Sequence, residues 1–483
     1  MSKLTRRDFI KGSMAAGAAM VMLTPYSRVL GANDDIRAAV VGIRGRGHGH
    51  IKWFGEIPGL RVVALCDVDK EILQRDVDSF KKRNENVDTY VDYRKLLEDK
   101  NIDVIIIATP NHWHSLMTIW ACQAGKDVYV EKPVSHNIWE GRKMIEAARK
   151  YNRIVQVGSQ KRSDPGLIEA FGYIREGNLG AIKWARGFCY KQRASIGKVD
   201  GPQPIPESVD YDLWCGPADM EPLMRKNLHY DWHWVWNTGN GDIGNQGVHE
   251  VDLSRWALGP EGLPPRVISI GGRLGYEDDG ETANTQIVFF DYKPAPLIFE
   301  VRGLPRKKGD SEMDYYRKVT QIGVLIQCEN GYFAGGGGGG WAYDNNGEKI
   351  KQFKGDAGGG HAANFIKAVR SRNVSDLNAD IEKIHISSAL SHMGNISYRL
   401  GKKMSADEIK DSIKGNTELT DSFEGVLAHL AANEIDLTKT PVTMGPMLTM
   451  DTEKEVFIGE HSEWANMYLK RNYREPFVVP DNV

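Results

Sequence analysis

The sequence predicts an α/β domain built on a doubly wound parallel sheet, followed by an α+β domain with an open, mostly antiparallel sheet. Three observations carry that expectation. Over residues 38–41, 61–66, 103–108, 127–130 and 154–157, short apolar β-branched runs alternate with segments of helical spacing at 70–83, 112–124 and 137–150. Strands that alternate with crossover helices make a parallel sheet covered on both faces. Further on, longer runs at 266–274, 285–291, 297–302 and 321–328 follow one another across turn residues with no helix between them, as antiparallel strands do. Helical patterns return at 362–372 and 380–400, enough to cover that sheet on one face.

At 483 residues the chain exceeds the roughly 250–300 residues at which one core stops growing. We therefore divide it into a segment 1–32, a nucleotide-binding domain 34–160, a substrate and oligomerisation domain 161–400, and a C-terminal extension 401–483 packing on both domains. Residues 335–340 are six consecutive glycines and read as a flexible loop. The run 476–480 is bounded by prolines and reads as an extended end lying on another surface.

Apolar residues at 41%, charged residues at 26% and a formal net charge of -2 describe an ordinary globular protein with no electrostatic reason to hold a polyanion, so no nucleic-acid partner is expected. The five cysteines show no C-x-x-C spacing, which argues against a zinc knuckle or a disulfide framework; they read as small buried side chains. At the start, Thr5-Arg6-Arg7-Asp8-Phe9-Ile10-Lys11 precedes a weakly apolar run, 12–23, that ends before Pro25. This resembles a twin-arginine export signal, and the run is shorter than the ~20 apolar residues of a spanning helix. The expectation is a periplasmic or otherwise exported protein, handled by the twin-arginine machinery, cleaved near Ala32 and holding no stable place in the membrane afterwards.

The first strand runs into Val41-Gly42-Ile43-Arg44-Gly45-Arg46-Gly47, where a dinucleotide diphosphate would meet backbone N–H groups at the positive end of a helix. Gly42 and Gly47 fill the outer positions of G-x-G-x-x-G. Arg44 replaces the middle glycine, and Gly45 beside it is placed to restore clearance. A turn of this kind that binds nothing is the alternative when the motif stands alone. Asp67, at the end of the second strand about 20 residues past the last glycine, supplies the carboxylate that accepts ribose hydroxyls. It would repel a 2′-phosphate, so NAD is expected and NADP less so.

The next two strands end in Thr109-Pro110-Asn111-His112-Trp113-His114 and Glu131-Lys132-Pro133, at the carboxyl edge where such sheets bind ligands. In order and spacing, the glycine turn, the Asp67 strand end, Thr109-Pro110-Asn111 with His114, and above all Glu131-Lys132-Pro133 resemble the Gfo/Idh/MocA family of glucose-fructose oxidoreductase and inositol dehydrogenase. The resemblance covers nearly all the mature chain. It implies a Rossmann domain ahead of an α+β domain, nicotinamide at their junction, and a lysine, here Lys132, touching both cofactor and substrate. The implied cofactor-binding residues are Gly42, Arg44, Gly45, Arg46, Gly47, Asp67, Thr109, Asn111, His114, Glu131 and Lys132. An ammonium in a partly dehydrated cleft hydrogen-bonds a substrate hydroxyl and lowers its pKa.

A second cluster, 232–252, resembles the family's glycine-rich segment leading to an Asp-x-x-x-His pair, in which the histidine is the acid/base. His249 falls on that histidine. Asn245 stands where the family often has aspartate, so the carboxylate that orients the imidazole is missing or comes from Asp242. The catalytic residues expected are Lys132, His249 and Asn245. Aromatic faces suit the CH faces of a sugar and polar groups its hydroxyls, so Tyr190, Lys191, Arg193, His233, Trp236, His249 and His361 are candidates to bind substrate. For any single aromatic, ordinary core packing competes with that role. His229 and His233 have the spacing of two metal ligands but no third ligand in a recognisable pattern, so no metal is expected.

Free NAD is scarce outside the cytoplasm. An exported enzyme of this kind would stop after one turnover unless its cofactor stayed bound and was recycled in place. The resulting expectation is an NAD-dependent oxidoreductase acting on CH–OH groups of a saccharide or glycoside. The alternatives are an NAD-dependent glycoside hydrolase working by oxidation, elimination, addition and reduction, or a non-catalytic sugar-binding protein on the same scaffold. Exposed faces of an open sheet pair readily, so a homo-oligomer is also expected.

Overall fold

The computed structural model describes residues 35–483; the export signal expected over 1–32 lies outside the described residues. The first six strands are β1 (Ile36–Val41), β2 (Leu60–Cys66), β3 (Asp88–Tyr90), β4 (Val104–Ile107), β5 (Asp127–Val130) and β6 (Val155–Val157). Between them run α1 (Arg46–Gly55), α2 (Lys70–Lys82), α3 (Tyr93–Glu98), α4 (Asn111–Gln123) and α5 (Ile138–Lys150). Local signals place the starts of two of these helices: Asp69 caps α2 by accepting from the Glu71 N–H, and Asn137 caps α5 by accepting from that of Glu140. The strands pair in parallel in the order β3-β2-β1-β4-β5-β6. The order reverses between β1 and β4, and a crevice opens outside their carboxyl ends.

The second sheet begins with β7 (Ile182–Tyr190), β8 (Arg266–Gly272), β9 (Thr285–Phe290) and β10 (Leu297–Arg302). A separate hairpin, β11 (Tyr315–Tyr316) and β12 (Val319–Thr320), precedes β13 (Ile322–Cys328), β14 (Tyr332–Gly336), β15 (Gly339–Tyr343) and β16 (Lys349–Lys354). Late in the chain come β17 (Lys402–Met404), β18 (Val442–Met444), β19 (Leu448–Asp451) and β20 (Val456–Ile458). The main path is β16-β15-β14-β13-β7-β10-β9-β8-β18-β17, antiparallel throughout except where β10 lies parallel to β7. The glycine run is not a flexible loop. Gly335, Gly336, Gly339 and Gly340 sit in the β14–β15 ladder, and Gly337-Gly338 form its two-residue turn, with Gly338 at φ +99 where only glycine is at ease.

Helical cover differs from the expectation in two ways. The helix α8 (His361–Ser371), which follows α6 (Pro165–Arg175) and α7 (Val248–Leu258) in the chain, packs Ala362, Phe365 and Ile366 against the first sheet rather than the second. Residues far beyond 160 therefore complete the Rossmann layer. The inner face of β8–β10 is filled by α9 (Ile381–Arg399) through Ala389, Leu390 and Met393. Their outer face, exposed in an open sheet, is covered by α10 (Ala406–Ile413) and α11 (Thr417–Ala432), which bury Ile409, Phe423 and Leu430 against Ile270, Phe289 and Ile298. Each such apolar side chain contributes about 1.5–3 kcal/mol of burial free energy. A homo-oligomer would have to use other surface than this face. The end of the chain lies on the first domain, with Phe477, Val479 and Val483 in its core.

Candidate functional site

The crevice is a cleft of about 680 Å³ that begins at the β1–α1 turn and ends at residues contributed by the second domain. Gly42 has φ +78, and a Cβ there would stand 2.8 Å from the backbone of Ala108 and Thr109, so the close approach of the β1 and β4 turns requires glycine. A Cβ on Gly47 would meet the Gly42 carbonyl at 2.1 Å, which fixes how tightly α1 seats on the turn. Gly45 is the N-cap of α1 and faces open space, and no side chain caps the helix. Its first N–H groups are left for a ligand. Gly42→Ala should drive the two turns apart, and we expect purified protein with at least about tenfold less bound nucleotide and a lower Tm, read by mass spectrometry and thermal melting.

Asp67 sits at the end of β2, its Oδ2 accepting from the Ile43 N–H at 2.8 Å and its Oδ1 from that of Asp69 at 3.0 Å. Burial pushes its carboxyl up to about 6, against the pull of those two hydrogen bonds. Arg44 lies exposed on the cleft lip and Arg46 bonds Glu131, Nε to Oε1 at 2.8 Å. His50 Nε2 meets the same oxygen at 2.9 Å. Burial opposes the charge on Glu131, yet the His50 hydrogen bond and the Arg46 guanidinium hold it well below the usual carboxylate range. Glu131 therefore braces α1 to the end of β5 as a buried anion.

Beside it, Lys132 Nζ donates to the Asn245 carbonyl at 2.6 Å and lies 3.4 Å from the Asn245 side-chain oxygen. Burial draws its pKa below that of an ordinary lysine. Asn245 belongs to a π-helical turn, Ile243–Gly247, that runs directly into α7, so residues 245 and 249 lie on helical backbone as their spacing suggested. The pairing differs from the expectation: Asn245 engages Lys132 and not His249, and Asp242 is bonded to Arg193 at 2.7 and 2.9 Å rather than to the imidazole. Burial first, then the charges of Lys132 and Lys161, hold His249 well below the ordinary histidine value. It is thus a neutral ring on the cleft wall.

Other candidates fall in different places. Thr109, Asn111 and His114 line the cleft, but His114 is 1% exposed and its two nitrogens face the Pro133 and Thr109 carbonyls at 2.7 and 2.9 Å, a strut between two strand ends. His233 lines the cleft, stacked on Trp232 with ring centroids 3.6 Å apart, and burial takes its pKa down to about 3. Five candidates for substrate contact do not reach the cleft. Tyr190 is buried under the second sheet, its hydroxyl donating to Glu300 at 2.6 Å. His361 is sealed between Ser163 and the Val157 carbonyl. Trp236 lines a second cavity behind the cleft wall. Lys191 and Arg193 stand behind the wall, reaching Gln246 at 3.4 Å and Asp242 respectively. Sequence reasoning missed Gln160, whose amide donates to Glu131 at 3.3 Å, and Gln246 and Phe477 on the cleft. Gln160 follows β6 at the carboxyl edge and could have been found by that rule; nothing local marks Phe477.

The turn that only glycine fits, the uncapped helix, the carboxylate at the end of β2 and an elongated cleft all suit a dinucleotide. A model described as an oxidoreductase family NAD-binding Rossmann fold matches residues 36–159, and one described as the oxidoreductase family C-terminal alpha/beta domain matches 179–294. A twin-arginine translocation signal model matches residues 3–22, which indicates export to the periplasm, and no helix among the described residues is long and apolar enough to cross a membrane. The chain is 29% identical over 180 residues to inositol 2-dehydrogenase of Salmonella typhimurium (strain LT2), covering 37% of this chain and 52% of that one. It is 30% identical over 224 residues to glycosyl hydrolase family 109 protein 2 of Shewanella sp. (strain ANA-3), covering 41% and 49%. It thus spans about half the length of the relatives it matches. In fold it is similar to the WlbA dehydrogenase from Bordetella pertussis, solved with NADH and UDP-GlcNAcA, with a TM-score of 0.56 at 20% identity over 76% of this chain and 97% of that one. With both domain models matched in tandem on the two sheets that the structure shows, the chain belongs to the Gfo/Idh/MocA oxidoreductase family.

Proposed function

We propose that this protein oxidises a CH–OH group of a saccharide or glycoside with an NAD that stays bound and is recycled in the site when a second carbonyl compound takes the hydride back. The observation that carries the reading is that Lys132 and His249 line the same cleft as the Gly42 turn and Asp67. Bound there, the nicotinamide supplies a hydride acceptor and donor. Lys132, fixed by the Asn245 carbonyl, keeps N–H groups for a substrate hydroxyl and stabilises the oxygen as its proton leaves. His249, neutral because buried among cations, is the base that takes that proton. His233 and Trp232 offer a flat face for the sugar ring, and Glu131 balances the Lys132 charge.

Asp67 supports NAD over NADP. Above pH 6 its carboxylate is ionised, accepts ribose hydroxyls and repels a 2′-phosphate. As pH falls through that value the group takes up a proton, so the ratio of NAD to NADP affinity should shrink between pH 7.5 and 5, measured by calorimetric titration.

The glycosyl hydrolase relative favours one further reading, glycoside cleavage by oxidation, elimination, addition and reduction. That route exchanges a C–H proton next to the oxidised carbon, so deuterium from solvent in the released sugar selects it, and its absence with net ketone formation selects oxidation. The reading as a whole is tested by mild purification of the mature protein, denaturation and mass spectrometry of what is released. Near-stoichiometric NAD supports a trapped cofactor. An empty protein that also fails to bind added NAD would sink it and leave a sugar-binding scaffold.

A further inference from the structure

After β7 the chain crosses from the second domain to the first and is tied to the loop that follows Asp67. The Lys70 N–H donates to the Ser208 carbonyl at 2.9 Å, the Asp210 N–H donates to the Val68 carbonyl at 3.0 Å, and Val209 forms a β-bridge with Asp69. A short helix, Tyr211–Cys215, comes next, and its Leu213 and Trp214 line the nucleotide cleft. Trp113 of α4 fixes this helix, its indole N–H shared between the Leu213 and Trp214 carbonyls at 3.1 Å each. Gly216 ends the helix at φ +50, and a Cβ there would stand 2.1 Å from the Trp113 ring, so helix and indole fit without room to spare.

A third segment, late in the chain, grips this crossing. Arg471 donates to the Asn237 carbonyl at 2.9 Å. Arg474 donates to the Asp212 carbonyl at 2.8 Å and to its carboxylate at 2.5 Å. Phe477 packs edge to face on Trp113 with ring centroids 5.4 Å apart, and the guanidiniums of Arg94 and Arg474 lie over its ring at 5.2 and 5.0 Å. Phe477 is 1% exposed and Val479 2%, both in the core of the first domain. The Asp212 carboxylate is largely in solvent, so its ion pair adds little by itself; burial of Phe477 and Val479 supplies most of the grip. Trp113 thus bears on the crossing helix and on Phe477 at once. Both family models end before this segment, the second of them at residue 294.

We propose that residues 471–483 are a clasp on the bound nucleotide: by holding the helix 211–215 on Trp113 they keep the cleft wall beside Asp67 shut, and NAD leaves only when that grip opens. The inference deepens the proposed function, since it rests on a nucleotide that stays bound, and it names what retains it. The ribose that Asp67 receives carries the base, and the residues next to Asp67 are the ones that the crossing ties down. Phe477 acts through Trp113 and is a positioning residue. Opening of such a wall is a local unfolding event whose frequency the buried contacts set.

The test is the rate at which the mature protein loses nucleotide, followed by the fluorescence of bound NADH after dilution into excess NAD, together with hydrogen exchange on the wild type. Phe477→Ala removes the ring that packs on Trp113 and should speed release by about tenfold or more. Phe423→Ala removes an equally buried ring from α11 on the outer face of the second sheet, so it should lower Tm comparably and change release by less than about twofold. In the wild type, which needs no substitution, saturating NAD should slow amide exchange over 208–216 and 473–479 together by about fivefold or more. Release accelerated alike in both variants, release equal in all three proteins, or exchange in the two segments that NAD leaves unchanged would each overturn the clasp while the proposed function stands. A protein that neither carries nor takes up NAD would remove both.

Discussion

Lys132→Met should lower kcat by about 10³-fold while the protein still purifies with its nucleotide, because the proposed function puts the side chain on the substrate oxygen and not on the diphosphate. Methionine keeps the length and the apolar stem of lysine, so the packing beside Asn245 survives. What disappears is the donor anchored at 2.6 Å on the Asn245 carbonyl, a cation placed between the end of β5 and the π-helical turn. Loss of nucleotide together with activity would instead give Lys132 a binding role. The measurement is turnover and bound nucleotide on the same preparation, with the saccharide that the wild type oxidises.

His249→Gln should cost about 10²–10³-fold in kcat and also change the shape of the pH profile. Burial and the neighbouring Lys132 and Lys161 hold the wild-type ring below the ordinary histidine value of 6.5. The proposed base is therefore in its neutral form at pH 6.5 and above, and the wild-type kcat/KM should fall only on the acid side of that value. Glutamine fills the position without titrating, so the acid limb should vanish along with most of the rate. An acid limb that persists unchanged in the variant would mean that another group, with Asp67 at about 6 the first to examine, sets it.

The two predictions differ in how legible their residues are. Lys132 stands at the carboxyl end of a parallel strand, in the tripeptide that most specifically carries the family resemblance, and strand ends at that edge face the crevice whatever the rest of the chain does. The same geometry made Gly42, Asp67, Thr109 and Glu131 readable. His249 was read from the resemblance to the family's histidine, and it lines the cleft, but its environment was not legible. The expected partner, a carboxylate or its substitute, turned out to be occupied: Asp242 by Arg193 and Asn245 by Lys132. Side-chain pairing across 113 residues of sequence is a property of packing, and spacing does not contain it.

Sidedness failed in the same way. Tyr190 and Lys191 are neighbours in sequence, yet a strand sends successive side chains to opposite faces, and register with β10 and β13 decides which face meets the core. Tyr190 went inward to Glu300. His361 opens a helix whose pattern showed an apolar stripe but not which of two sheets would receive it; it went to the Rossmann layer. The glycine run illustrates the opposite error, composition read as disorder where cross-strand pairing made it an ordered hairpin.

By itself the sequence determined the order of the two sheets, the place of the nucleotide turn and the export signal, because each rests on local periodicity or on contiguous residues whose backbone geometry is set within a few positions. Only the tertiary structure decided what covers the second sheet, that Trp236 opens on a cavity of its own, and which group holds Lys132. Those outcomes depend on contacts between segments a hundred or more residues apart, whose burial and pairing are settled when the chain closes on itself and not before.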